Sequence, residues 1–240
     1  MGCSSGPDII QDGLVFCLDA ASIRSYPKTG TSWTDLKNSK VGSFVNMTSS
    51  NFSEDNGGCI NFGGTNGYIQ TNLNFSPGTH YEEFTCAVWC KHSASAHDGY
   101  NALMVSNYGG TPIPFNMYAG GAGTFADKFV LYTRVGGNSM QLNSVSDIND
   151  NEWHYCVGTR AGTGASSRDY SVYVDGELEN TTTSSVVNQG VTNNIVIGAL
   201  NVYLNQNYYN GKLACVSIYD RALTADEVRQ NYLSTKERFA

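Results

Sequence analysis

Short segments of alternating apolar and polar residues recur along the whole chain, separated by clusters of Gly, Asn, Asp and Ser, and a helical period is confined to the C-terminus. A period of two places every second side chain on one face, so each segment reads as a strand with one side turned to a core. The expected strands are Gly13–Leu18, Cys59–Phe62, Tyr68–Thr71, Phe84–Cys90, Ala102–Ser106, Phe115–Tyr118, Phe129–Arg134, Trp153–Thr159, Tyr170–Val174, Asn194–Gly198 and Lys212–Tyr219. Cys59–Phe62 and Tyr68–Thr71 read as a pair joined by a turn over residues 63–67, and Asp175-Gly176 as a tight hairpin turn into Glu177-Leu178. In Phe84–Cys90 both faces are apolar, which predicts a central strand, and Trp33 and Trp89 read as core anchors. So many strands with no helix between them predict an all-β fold of two antiparallel sheets stacked face to face.

The end of the chain is legible from its cap. Thr224-Ala225-Asp226-Glu227 is a capping box, with Leu223 before it and Val228, Tyr232 and Leu233 following at helical spacing, so one stripe of a short helix docks on the sandwich. The expected organisation is an arm over residues 1–11, a sandwich over 12–223, and a helix and tail over 224–240 packed on it.

Charge narrows the partners. Fourteen Lys and Arg against 21 Asp and Glu give a net charge of -7 with no basic cluster, so nucleic acid is not an expected partner. Apolar runs fall far short of the roughly 20 residues of a membrane-crossing helix, so no membrane partner is expected. No charged segment followed by an apolar stretch precedes Asp12, so no signal peptide is expected, and Met1–Gly6 lacks the Ser or Thr that myristoylation requires at its sixth position. The sequons at Asn46, Asn51, Asn74 and Asn180 then read as chance products of composition. Seven cysteines without scaffold spacing, several inside apolar runs, read as free thiols of a reducing compartment.

Three groups of segments carry a resemblance. They are Asp12–Ala20 with Ser25-Tyr26-Pro27 and Trp33-Thr34-Asp35-Leu36; Glu152-Trp153-His154-Tyr155 with Tyr173-Val174-Asp175-Gly176; and Asn210-Gly211-Lys212-Leu213 with Ile218–Thr224. Together they resemble the LamG-like jelly-roll domains of the concanavalin A-like lectin/glucanase superfamily. The resemblance implies a two-sheet jelly roll of about a dozen strands, used for glycan binding, protein adhesion or hydrolysis. With the close Lys236-Glu237-Arg238-Phe239, the chain looks most like LamG-like structural proteins of tailed phages. That implies a non-enzymatic head-decoration or tail-fibre protein on the virion surface, made in the host bacterial cytoplasm. Its partners would be capsid or tail subunits and further copies of itself, or a cell-surface glycan. A free lectin or adhesin is the second reading and a glycan hydrolase the third.

Site residues follow from these readings. Tyr100, Tyr108, Tyr118, Tyr203, Asn205, Tyr208 and Tyr209 sit among Asn, Gly and Gln in apparent loops, where aromatic rings stack on sugar faces and amides meet hydroxyls; a polar protein interface uses the same types. The E-x-D-x-x-E carboxylates of glucanases on this fold are absent, no G-x-S-x-G elbow occurs, and Glu177 and Glu179 read as a solvated edge. Calcium binds some LamG relatives, and its candidates here are Asp55, Asp127, Asp147 and Asp150. His92 and His97-Asp98 read as a solvated loop, and His154 as exposed or bonded to a neighbouring loop.

Overall fold

The computed structural model describes residues 8–74, 82–93, 100–106, 113–120, 127–163, 166–186, 194–201 and 206–240. Strands are numbered in chain order. The first sheet has eight: β14 (Glu177–Ser184), β13 (Arg168–Val174), β12 (Asp150–Ala161), β7 (Phe84–Ser93), β18 (Asn210–Tyr219), β5 (Cys59–Gly63) and β4 (Phe52–Ser53), with β1 (Leu14–Asp19) also on β18. The second sheet also has eight: β11 (Asn138–Asp147), β10 (Lys128–Val135), β9 (Ile113–Ala119), β8 (Asn101–Val105), β15 (Asn194–Ile197), β6 (Tyr68–Asn74), β3 (Val41–Val45) and β2 (Ser32–Thr34). A small ribbon of β16 (Ala199–Asn201) and β17 (Gln206–Tyr208) links them. The fold is the all-β, two-sheet antiparallel sandwich that the alternation predicts, closed by one helix, α1 (Ala225–Thr235).

The central strand behaves as its two apolar faces require. Phe84, Cys86, Val88 and Cys90 of β7 enter the core between the sheets, whereas Ala87 and Trp89 face outward under the helix. Beside it, β18 pairs with β7 along one edge; along the other it pairs with β5 through its first half and with β1 through its second. Asp35 of the W-x-D-L segment is buried, and its carboxylate accepts from the N–H groups of Cys17, Lys37 and Asn38 at 2.7, 3.0 and 2.7 Å. Trp33 beside it is fully buried. The Asp175-Gly176 turn joins β13 to β14 with both residues at positive φ, 53° and 83°, as a primed hairpin turn demands.

One expected pairing is wrong. Cys59–Phe62 and Tyr68–Thr71 are not partners: β5 lies in the first sheet on β18 and β4, and β6 lies in the second between β3 and β15. Crossing between sheets lets Ile60 and Phe62 meet Ile69 and Leu73 in a common core; a flat hairpin would set them side by side. Strands β2, β3, β4, β11, β16 and β17 lie outside the expected set. In β11 the inward positions are Met140, Leu142 and the buried Ser144, a face too mixed to stand out.

The capping box is present: the Glu227 amide donates to Thr224 Oγ1 at 3.3 Å, and the Thr224 amide to Glu227 Oε2 at 2.9 Å. Leu223 and Val228 are buried, but Leu233 is 39% exposed and Asn231 takes the buried position instead. Asn231 is needed there because its side chain accepts from the Ile10 amide at 2.7 Å and donates to the Tyr219 hydroxyl at 3.0 Å. Gln230 likewise donates to the Asp8 carbonyl at 2.9 Å. Residues 8–10 of the expected arm therefore lie against this chain's own helix, and residues 1–7 fall outside the described residues. No described helix is long and apolar enough to cross a membrane. The six described cysteines are free, with Cys90 and Cys156 Sγ 3.8 Å apart.

Candidate functional site

The outer face of the second sheet gathers aromatic and amide side chains into one surface. Cross-strand register sets a row from edge to edge: Gln141 opposes Tyr132, Tyr132 opposes Asn116, Asn116 opposes Val105, Val105 opposes Val196, Val196 opposes Gln70, and Gln70 opposes Ser43. With Ser32 opposite Ser43, the row crosses all eight strands, about 34 Å at the usual strand spacing. Its neighbours on the same face are Tyr118, which opposes Val130 and Ala102, and Tyr68. Tyr100 stands 4.7 Å from Tyr118 and Tyr118 6.3 Å from Tyr132 between ring centroids, so three tyrosines form one continuous aromatic strip.

The ribbon of β16 and β17 covers the middle of this face. Ala199 and Tyr208 pack with Ala102, Val105 and Val196, and the Tyr208 ring lies 6.4 Å from that of Tyr68. Tyr118 is also buried; burial raises its pKa despite the Asn116 amide, which donates to the hydroxyl at 2.7 Å. Half-buried Tyr68, Tyr100, Tyr132, Gln70 and Gln141 remain as the accessible elements. The Gln141 side-chain nitrogen is buried and has no hydrogen-bond partner among the described residues, an unspent donor beside the Tyr132 ring.

Of the tyrosines expected in loops, Tyr100, Tyr118 and Tyr208 do come together here, but Tyr118 and Tyr208 are strand residues under cover. Tyr209 is corrected outright: it is fully buried between the sheets, its ring 5.7 Å from Phe62, and its hydroxyl donates to the Lys91 carbonyl at 2.9 Å. Tyr108, Tyr203 and Asn205 lie outside the described residues. Tyr68, Tyr132, Gln70 and Gln141 were missed; alternation within their strands carries the only local signal.

The acidic candidates are already engaged. Glu177 pairs with Arg229 of the helix, and Glu179 accepts from the Val145 and Ser146 amides at 2.7 and 2.8 Å, tying β14 to β11. Glu177 stays exposed on the edge strand β14, as expected of a solvated edge, while Glu179 is half-buried as a tie between the sheets. Asp55 binds Lys212 at 2.6 Å, Asp147 binds Lys128 at 2.6 Å, Asp127 accepts from Asn149, and Asp150 binds His154 at 3.1 Å. The four calcium candidates are thus not brought together, and no group of three or more His, Cys, Asp or Glu among the described residues is arranged to hold a metal ion. His92 is a buried strand residue and not part of a solvated loop. Burial lowers its pKa, and its Nδ1 lies 3.0 Å from the Asn210 carbonyl. His97-Asp98 lies outside the described residues.

His154 is bonded to the neighbouring turn. Its Nδ1 meets Asp175 at 2.8 Å while Asp175 also accepts from the Tyr155 amide at 2.8 Å. Burial opposes the charge on the ring, but the bonds and charges of Asp175 and Asp150 outweigh it and raise the pKa to about 9. Because the folded value lies above the ordinary 6.5, the stabilisation is complete below about pH 6.5 and is lost as pH rises through about 9. Screening at the exposed Asp150 limits it to roughly 1–2 kcal/mol. Thermal midpoints measured from pH 6.5 to 9.5 are expected to fall more steeply in the native chain than in His154→Gln; parallel slopes would exclude this coupling.

Similarity to known proteins agrees with this architecture. The family model of the concanavalin A-like lectin/glucanases superfamily matches residues 62–229. A search of curated proteins gives no match. Among solved structures, Trypanosoma rangeli sialidase in complex with the inhibitor DANA is similar over 99% of this chain and 36% of its own, with TM-score 0.66 and 15% identity. The binding domain of Paraclostridial Mosquitocidal Protein 1 is similar over 92% of this chain and 52% of its own, with TM-score 0.62 and 16% identity. The receptor binding domain of botulinum neurotoxin type G gives 92%, 51%, 0.62 and 13%. The chain spans about a third of the sialidase and half of each toxin domain, and the likeness is one of fold.

Proposed function

Since the chain belongs to the concanavalin A-like lectin/glucanases superfamily, we propose that it is a non-enzymatic binding module that holds a glycan on the outer face of its second sheet. The observation that carries this is the cross-strand row in which Gln70, Tyr132 and Gln141 share one face with Tyr68 and Tyr100. Aromatic faces stack on the apolar faces of sugar rings, and amides supply both donors and acceptors to hydroxyls. The unspent Gln141 amide supports a polar ligand beside Tyr132. Two of the similar structures are binding domains of toxins, which supports the same reading. Against hydrolysis stand Glu177 and Glu179, held by Arg229 and by backbone amides.

A glycan array tests this. A hit whose affinity falls at least tenfold in Tyr132→Ala, with an unchanged melting temperature, is the expected result; no glycan bound, or binding indifferent to Tyr132→Ala and Gln141→Ala, would end the proposal.

The setting we propose is the surface of a tailed-phage particle, where the chain contacts capsid or tail subunits and further copies of itself. Its support is the opening Asp12–Ala20 with the close Lys236–Phe239. Mass spectrometry of purified particles is expected to find the chain, in hundreds of copies if it decorates the head and a handful if it sits on the tail. Its absence from intact particles rules the setting out.

A further inference from the structure

Three Asn-Gly pairs occur in the chain: Asn56-Gly57, Asn66-Gly67 and Asn210-Gly211. In such a pair the glycine nitrogen can reach the asparagine side-chain carbonyl carbon, because glycine has no Cβ to hold the two apart. The fold places the three pairs in different surroundings.

At Asn56 both ends of the side-chain amide are engaged: Oδ1 accepts from the Trp153 indole at 2.9 Å, and Nδ2 donates to the Arg238 carbonyl at 2.9 Å. The Gly57 N–H is engaged as well, donating to the Glu54 carbonyl at 3.1 Å. Asn210-Gly211 lies inside β18, where Gly211 opposes Phe62 of β5 on one side and His92 of β7 on the other, so two ladders hold its backbone extended. Asn66 differs in each respect. It is exposed, and its side chain has no hydrogen-bond partner among the described residues; only its carbonyl is engaged, accepting from Asn46 Nδ2 at 3.1 Å. The Gly67 N–H has no acceptor among the described residues either, and Gly67 belongs to no strand.

We infer that Asn66 is a site of spontaneous modification, at which the chain converts part of its own backbone to an isoaspartyl linkage. Hydroxide removes the Gly67 amide proton, and the nitrogen attacks Asn66 Cγ. The N–Cγ bond forms, the Cγ–Nδ2 bond breaks, and ammonia leaves with a proton from water. Water then opens the cyclic imide at one of its two carbonyls. Opening at Cγ gives aspartate; opening at the former main-chain carbonyl gives isoaspartate, whose backbone runs on through Cβ and Cγ.

Position gives the event its consequence. Residues 64–67 are the whole connection between β5 in the first sheet and β6 in the second. One end is pinned by the Gly64 N–H, which donates to the Tyr209 carbonyl at 3.0 Å, and the other by Asn46. Isoaspartate adds one methylene to that path. The extra length must be taken up against Met47, whose Cγ would lie 2.8 Å from a Cβ on Gly67.

The test is peptide mapping of the full chain after incubation in mildly alkaline buffer, with mass spectrometry reading amide-to-acid conversion and isoaspartate at each pair. Asn66 is expected to convert at least tenfold faster than Asn56 or Asn210 in the folded chain, and the three rates to converge in urea, where the fold no longer separates them. Asn66→Gln, which would have to close a larger ring, should stop conversion at that position. The isoaspartyl chain should melt below both the fresh chain and Asn66→Asp, which carries the same added charge on an unaltered backbone. If Asn66 converts no faster than Asn56 or Asn210 in the folded chain, the assignment fails. If the isoaspartyl chain melts together with Asn66→Asp, the site stands and its effect on the crossing between the sheets is overturned.

Discussion

Trp89→Ala is expected to destabilise the fold by about 4 kcal/mol, the cost of truncating a large buried aromatic, and to detach the C-terminal helix before the sheets separate. Trp89 is 2% exposed on the outer side of β7. Its ring stacks on Phe239 at 4.0 Å and on Tyr232 at 5.7 Å, and lies 5.3 Å from Tyr155. Its indole N–H donates to Thr235 Oγ1 at 3.0 Å. Contacts from helix, tail and sheet thus converge on one side chain, and aromatic pairs add about 0.5–1.5 kcal/mol each beyond their buried area. The effect should be local first, because the inter-sheet core on the opposite face of β7 is untouched. Urea denaturation gives the magnitude, and hydrogen exchange across Ala225–Thr235 gives the location. A loss under about 1 kcal/mol with the helix amides still protected would falsify this account.

Gly58→Ala is expected to cost ~3–4 kcal/mol through backbone strain rather than lost contacts. Gly58 precedes β5 at φ 147° and ψ 129°, a conformation that L side chains avoid. A Cβ there would lie 2.6 Å from the Ala20 carbonyl oxygen, a backbone atom that no rotamer change can move. The same peptide is a tie point, since the Gly58 carbonyl accepts from Arg238, whose guanidinium also reaches Asp19 at 2.7 Å. Displacing it disturbs β1, β5 and the tail together. The contrast is Gly63→Ala: nothing lies within 4 Å of its added Cβ, and its φ is not positive, so that variant should melt near the native temperature. Equal melting temperatures for the two variants would show that Gly58 is not strained.

The parts of this fold that were legible from sequence are those set by local chemistry. The Thr224–Glu227 box announces the helix because four adjacent residues make the whole cap. The Asp175-Gly176 turn announces a hairpin because the geometry needs positive φ at two neighbouring positions. The family segments added the sandwich, and Phe84–Cys90 its centre. Partner choice was not legible: β5 and β6 each show a good inward face, and nothing within Cys59–Asn74 says that they sit in different sheets. The same limit hid the site. Tyr132 and Gln141 are direct partners in the β10–β11 hairpin, but Gln70 comes from a distant segment and joins their row only through the strands that lie between. Tyr209 misled for the opposite reason, as a polar-looking neighbourhood concealed a residue whose ring fills the core. Nothing within the helix marks Asn231 as a buried residue, because its position is fixed by the Ile10 amide, more than 200 residues earlier.

The two-sided pairing of β18 has a consequence for how the chain is made. Cys17 pairs with Ser217 and Leu18 with Val216, so β1 emerges from the ribosome long before the edge it will occupy exists. At 5–20 residues per second, that interval is roughly 10–40 s. Over that time β5 also waits for its place on β18, and β7 for one of its two neighbours. The nascent chain must carry apolar, unpaired strands for most of its synthesis, which makes early exposure, and not final stability, the step at which chaperones would matter most.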